Sequence, residues 1–301
     1  GKPDLMSAPD SPSPETIKVT TPDGLTIVAR ASGRPAGVSA SERPPSFADA
    51  LFIHGFSQSG LCWDAQTQSP ALGAARLVAY DFRGHGASDK PCDPAFYQEP
   101  ARWADEVEAV ITQTGLEKPV LVGWSYAGRI IADYLAEKGA DGISGIVFVD
   151  AATRNDRHFY GTCNKLMRLM CSDDLSTNVE ATRTFVRACF AAPPDQALYE
   201  TLLAINMVVP PPVRAALFGR PADYDALLAD LDLPVLVVQG GRDVVVDPSM
   251  AHHIADTIPG ARLLLLEEVG HAPFLEAVEA FNAALAGFLS EAARPRISAR
   301  P

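Results

Sequence analysis

Along the chain, apolar positions gather into short runs that alternate with longer stretches of helical spacing. Eight runs have the length of strands: Thr16–Thr20, Leu25–Ala31, Ala50–His54, Arg76–Tyr80, Pro119–Gly123, Gly145–Asp150, Pro234–Gln239 and Arg262–Leu266. The last six are near-continuous in β-branched residues or Leu, the pattern of strands buried on both faces of a parallel sheet. Helical spacing marks Arg102–Thr114, Tyr126–Lys138, Ser249–Thr257 and Phe274–Ser290. Strand and helix in alternation predict right-handed crossovers and an α/β fold built on a doubly wound, mostly parallel sheet. Ligands of such sheets bind beyond the carboxyl ends of the strands. Polar residues directly after the strands are therefore the first candidates for chemistry.

The stretch from Ala151 to Pro221 breaks the alternation. It is helical in flavour (NKLMRLM, VEATRTFVRACF, DQALYETLLAINMVV) and has no convincing strand. It is too long for a bare loop, so it reads as a helical cap inserted after the sixth strand. The expected organisation is a core of 16–150 and 222–290, a cap of 151–221, and irregular tails at 1–15 and 291–301.

Four strand ends carry the candidate chemistry. PVLVG runs into Gly123-Trp124-Ser125-Tyr126-Ala127-Gly128 and then a helix. A serine at so tight a strand-to-helix turn, with small residues two before and two after, reads as a nucleophile lifted above the sheet. The simpler alternative is a serine capping a helix in a Gly-rich turn. ALFI leads into His54-Gly55-Phe56, whose Phe56 amide, with that of Tyr126, is placed to hold an oxyanion. His54, at a strand end, and His85, in a Gly-rich turn, are expected to be structural. Asp243 follows PVLVVQGG and can orient an imidazole; Asp247 and Asp150 compete for that role. His271, in VGHAP after the last strand, is the one histidine in a loop beyond both the serine and the acid. The order Ser125, Asp243, His271 matches one of the known chain orders of such triads.

Together HGFSQSG, YDFRGHGAS, LVGWSYAG, VVQGGRDVVV and VGHAPFLE resemble the signature segments of the α/β-hydrolase superfamily, over roughly residues 20–290 outside the cap. The combination is similar to its serine esterases, arylesterases, cofactor-free haloperoxidases and acyl-homoserine lactonases. The resemblance implies the α/β-hydrolase fold and hydrolysis through an acyl-enzyme, with no metal or organic cofactor. Ala127 stands where the family usually has a second glycine, a sterically mild departure. Ser at position 125 disfavours the branches with an aspartate nucleophile. Lactone hydrolysis, carbon–carbon bond hydrolysis and perhydrolysis stay open on the same residues, as does a slow-turnover ligand receptor.

Composition changes this picture little. A net charge of −12 disfavours nucleic acid and anionic membranes as partners. The N-terminal GKPDLMSAPDSPSPE has no apolar core of a signal peptide. The odd set Cys62, Cys92, Cys163, Cys171 and Cys189 fits reduced thiols in the cytoplasm better than a disulfide framework, though Cys163 and Cys171 could pair. The cap supplies Phe159, Met167 and Met207, which with Trp124 are the candidate substrate contacts. With the cap's basic side chains (Arg154, Lys165, Arg168 among them) left mainly in solvent, the expected substrate is a small to medium uncharged ester or lactone. The rival is a carboxylate-bearing substrate anchored by one of the cap arginines, as a carbon–carbon hydrolase would require.

Overall fold

The computed structural model describes residues 13–38 and 46–296. Eight strands form one sheet in the order β1-β2-β4-β3-β5-β6-β7-β8. They are β1 (Glu15–Thr20), β2 (Thr26–Gly33), β3 (Ala50–Ile53), β4 (Arg76–Asp81), β5 (Val120–Trp124), β6 (Gly145–Val149), β7 (Val235–Gly240) and β8 (Arg262–Leu266). β1 pairs with β2, and β2 with β4, in antiparallel register, whereas every pairing from β4 across to β8 is parallel. All eight expected strands are present within one or two residues at each end.

The parallel strands have no polar face because both of their faces are covered. Leu51, Ile53, Val78, Tyr80, Leu121, Ile146 and Phe148 pack on one side, under helices Pro100–Gln113, Ala127–Lys138 and Ser249–Thr257. Their neighbours in sequence, Ala50, Phe52, Leu77, Ala79, Val122, Val147 and Val149, pack on the other side with Trp63, Phe274 and helix Val278–Ala292. Period-two alternation thus divides one apolar run between two cores. β4 and β5 flank β3 on opposite sides. The winding reverses there, and doubly wound sheets bind their ligands beyond the strand ends at such a reversal.

Between β6 and β7 lie helices Asn164–Leu169, Leu175–Ala188, Gln196–Met207, Pro211–Ala216 and Asp225–Ala229, with no strand. The last extends the helical region beyond the expected boundary at 221. The helix expected over Phe274–Ser290 is two, Pro273–Glu276 and Val278–Ala292, because the backbone breaks at Ala277. The expected tails lie largely outside the described residues. Of the parts described, Glu15 opens β1 and residues 291–292 close the last helix.

The loop after β4 is tied to helix Pro100–Gln113 by charge. Arg83 Nε lies 2.9 Å from Glu106 Oε1, both side chains fully enclosed, and Arg83 Nη1 lies 2.8 Å from Asp23 Oδ2. Removing one member of such a pair strands the other in a dry interior. Glu106→Ala is expected to lower unfolding free energy by about 3–5 kcal/mol in a urea titration. A loss below about 1 kcal/mol would show that Asp23 alone holds the guanidinium.

Candidate active site

Strand β5 ends in a turn that few side chains tolerate. A Cβ on Gly123 would sit 2.5 Å from Ile131 Cδ1 and 3.2 Å from Ala127 Cβ, so the helix can start this close only over a glycine. Ser125 takes φ +56°, a left-handed backbone that costs a non-glycine residue on the order of 1–3 kcal/mol. Ser125 N donates to Val149 O at 3.0 Å, fixing the turn to β6. The methyl of Ala127 is accommodated in the first turn of the helix, fully buried.

Beside it, β3 runs on into Gly55-Phe56. A Cβ on Gly55 would meet Ser125 Cβ at 3.2 Å and Trp124 O at 3.3 Å, so this loop rests on the serine itself. Among the described residues, neither the Phe56 nor the Tyr126 amide has a backbone or side-chain acceptor. Two histidines shape the loop. His54 Nδ1 donates to Gly55 O at 2.8 Å while its Nε2 accepts from Phe82 N at 3.0 Å. His85 Nε2 accepts from Ser57 N at 3.0 Å, and its Nδ1 donates to Arg83 O at 2.9 Å. Each ring acts as one donor and one acceptor, so both are neutral and structural, as expected from their places in the sequence.

Beyond the ends of β7 and β8, Asp243 and His271 meet. His271 Nδ1 donates to Asp243 Oδ2 at 2.7 Å. The other Asp243 oxygen accepts from Val245 N at 2.7 Å and Val246 N at 3.0 Å. Burial alone would raise the Asp243 pKa, but His271, Asp150 and the Val245 amide outweigh it and hold the carboxyl below its ordinary value. Asp150, the strongest rival by position, lies in the same enclosure. Its Oδ2 accepts from Gly240 N at 3.1 Å and Gln239 Nε2 at 3.2 Å, and its Oδ1 has no partner. Burial, then the charge of Asp243, push the Asp150 pKa well up, opposite to the shift of Asp243. Asp247 accepts from Ser249 Oγ at 3.2 Å, at the start of helix Ser249–Thr257. With Nδ1 held by a carboxylate, His271 keeps Nε2 for a proton from a hydroxyl.

Ser125 opens onto a cavity of about 430 Å³ between the core and the inserted helices. Phe159 and Met167 line it, as expected; Trp124 and Met207 do not. Trp124 instead donates from Nε1 to His271 O at 2.9 Å and packs edge-on against Phe274, which ties the histidine loop to the serine turn. Met207 is half-buried at the carboxyl end of its helix. The apolar roof expected from the sequence is also modified, because Arg154 and Arg168 of the inserted segment and Arg129 of the core reach the lining. Arg129 was not legible as a site residue, since one cation in an amphipathic helix reads as its solvent face.

The histidine loop is fastened to the inserted helices as well. His271 N donates to Cys189 O at 2.9 Å, and Glu276 Oε1 accepts from both Ala191 N and Gly270 N. All five cysteines are free, Cys163 and Cys171 included.

Comparison with known proteins agrees with this architecture. A model described as the alpha/beta hydrolase family matches residues 50–284. The chain is 34% identical to a proposed aryl esterase from Burkholderia cenocepacia, whose crystal structure superposes with a TM-score of 0.85 over 92% of this chain and 99% of that one. An esterase from Rhodococcus sp. ECU1013 gives 33% identity and a TM-score of 0.82, over 91% of this chain and 98% of its own. A pimeloyl-acyl-carrier-protein methyl ester esterase of Neisseria meningitidis is 29% identical over 82% of this chain and 95% of its own.

Full burial depresses the His54 pKa from 6.5 to about 4 and moves His85 in the same direction. Between those values the unfolded chain binds protons that the folded chain refuses, so stability is lost as pH falls from 6.5 toward 4. His54→Gln is expected to remove its share. The drop in urea-unfolding free energy from about pH 6.5 to about pH 5 should shrink by about 1.5 kcal/mol. An unchanged drop would mean that His54 is protonated in the folded state.

Proposed function

The chain belongs to the alpha/beta hydrolase family, and from that premise we propose that it cleaves carboxylic esters through an acyl-enzyme on Ser125. The observation that carries the reading is the strained Ser125 turn on the cavity wall; the unengaged amides of Phe56 and Tyr126 and the His271–Asp243 pair at 2.7 Å support it. Ser125 Oγ attacks the carbonyl carbon while His271 Nε2 takes its proton. The oxygen of the tetrahedral adduct gains its negative charge facing the amides of Phe56 and Tyr126. Asp243, fixed as a carboxylate by its donors, stabilises the imidazolium. That imidazolium protonates the departing alcohol, and water repeats the sequence on the acyl-enzyme. The esterases among its relatives support ester hydrolysis over the other reactions open to this fold. Lactones, as cyclic esters, fall within the same chemistry.

The inserted helices act in this reading as a cap that bounds the cavity with Phe159, Met167 and Phe218 and sets the size of the acyl group. Among the described residues no helix is long and apolar enough to cross a membrane. Five unpaired thiols fit a reducing compartment, in line with a cytoplasmic enzyme.

Ser125→Ala is expected to reduce kcat on an aryl ester by a factor on the order of 10⁶. Asp243→Asn should cost about 10⁴ by misorienting His271. Asp150→Asn, an isostere of the protonated acid, should stay within about tenfold of the parent. Steady-state kinetics on the three variants checks all of this. Asp150→Asn falling as far as Asp243→Asn would move the acid role to Asp150.

A further inference from the structure

The chain carries 37 acidic residues against 25 Lys and Arg, yet the cavity above Ser125 is lined by three arginines and no carboxylate. The three differ in how their charge is met. Arg154 is answered outside the lining, with Nη1 at 2.6 Å from Asp225 Oδ2 and 3.6 Å from Asp223 Oδ1. Arg168 stands exposed, with no ion pair among the described residues. Arg129 is the unusual one. It lies in the first turn of the helix that follows Ser125 and is only 8% exposed.

Of the five N–H donors of Arg129, a single bond is made among the described residues, from Nη2 to Asn155 Oδ1. Nε is enclosed and has no acceptor. The acid one turn along the same helix, Asp133, is committed to the guanidinium of Arg220 (2.7 and 3.1 Å) and to Tyr224 Oη. The Arg129 guanidinium lies over the Tyr126 ring, 5.1 Å from its centroid, which holds its plane at the cavity wall.

The other buried arginines show what is missing. Arg34 has Asp49, Arg83 has Glu106 and Asp23, and Arg220 has Asp133. Arg214 and Arg76 have no carboxylate, but Ser57 Oγ, Asn178 Oδ1, Thr182 Oγ1 and the carbonyls of Met170 and Asn206 surround the first, and the carbonyls of Thr114 and Arg34 take donors from the second. A guanidinium does not shed its proton in a protein, and leaving it enclosed without a counter-charge is unfavourable. Arg129 therefore has unused donors, a fixed plane and an open cavity in front of it. A carboxylate is the planar acceptor that fits this fork.

We infer that Arg129 is the anchor for a carboxylate on the substrate, so that the preferred ester carries a free carboxylate in its acyl part or in its leaving alcohol. The inference rests on the proposed ester hydrolysis and narrows its substrate class. It also replaces the expectation of an uncharged substrate. Arg168 at the rim adds attraction for the anion, and Phe159 and Met167 line the hydrocarbon between the two polar ends.

The test compares 4-nitrophenyl hydrogen adipate with 4-nitrophenyl hexanoate, and 4-carboxyphenyl hexanoate with phenyl hexanoate, for the parent, Arg129→Met and Arg129→Lys. In at least one pair the acid should be preferred in kcat/KM, and Arg129→Met should lower that preference by roughly 10- to 100-fold. Lys, a point charge without the fork, should restore part of it. A separate reading needs no turnover: millimolar adipate should raise the melting temperature of the parent and not of Arg129→Met. No acid preference in either pair, or a preference that survives Arg129→Met, overturns the inference, as does equal protection of parent and variant by adipate. If adipate protects only the parent but none of the four esters is cleaved, the carboxylate site stands and ester hydrolysis fails. If the hexanoate esters are cleaved without any carboxylate effect, ester hydrolysis stands and the carboxylate site fails.

Discussion

Everything in this site depends on one backbone constraint, the left-handed turn at Ser125. A non-glycine residue at φ +56° is held there only if its surroundings leave no alternative. The hydrogen bond from Ser125 N to Val149 O, the missing side chain at Gly123 and the close approach of Gly55 supply that insistence. Among the described residues four non-glycines have positive φ, and three of them, Ser57, Ser125 and Asp150, follow β3, β5 and β6 at the site end of the sheet. Strain is thus concentrated where the chemistry is proposed, and the two cores beneath it bear the cost.

Electrostatics adds a second constraint. Two acids share one enclosure, and their environments drive them apart: His271 and the surrounding donors hold Asp243 below its ordinary value, while burial and the charge of Asp243 push Asp150 well up. Pairs whose surroundings separate their pKa values in this way mark acid–base machinery. The buried histidines after β3 and β4 serve differently. Their rings are consumed as donor and acceptor within the loops, which places the Phe56 amide without lending a proton to any step.

Much of this was legible in the residues. Continuous apolar runs mark the parallel strands, and the candidates Ser125, Phe56, Asp243 and His271 come from the segments that follow those runs, because ligands of a doubly wound sheet bind beyond its strand ends. Strand order was not legible, since pairing is a tertiary matter. Trp124 is a candidate substrate contact in the sequence, but at the end of a strand its side chain leaves sideways to His271 and Phe274. Arg129 is not legible in the sequence for a related reason. Whether an arginine on a helix has a partner depends on residues distant in sequence, here Asn155 and the acid already taken by Arg220.

The claim on which the rest stands is that Ser125 is an activated nucleophile, and covalent labelling tests it most directly. The intact protein would be incubated with a fluorophosphonate, digested, and mapped by mass spectrometry, with His271→Ala treated in parallel. A single adduct is predicted, on the peptide at Ser125, that forms far more slowly in His271→Ala because the base is gone. Labelling at another residue, or equal rates with and without His271, would contradict it.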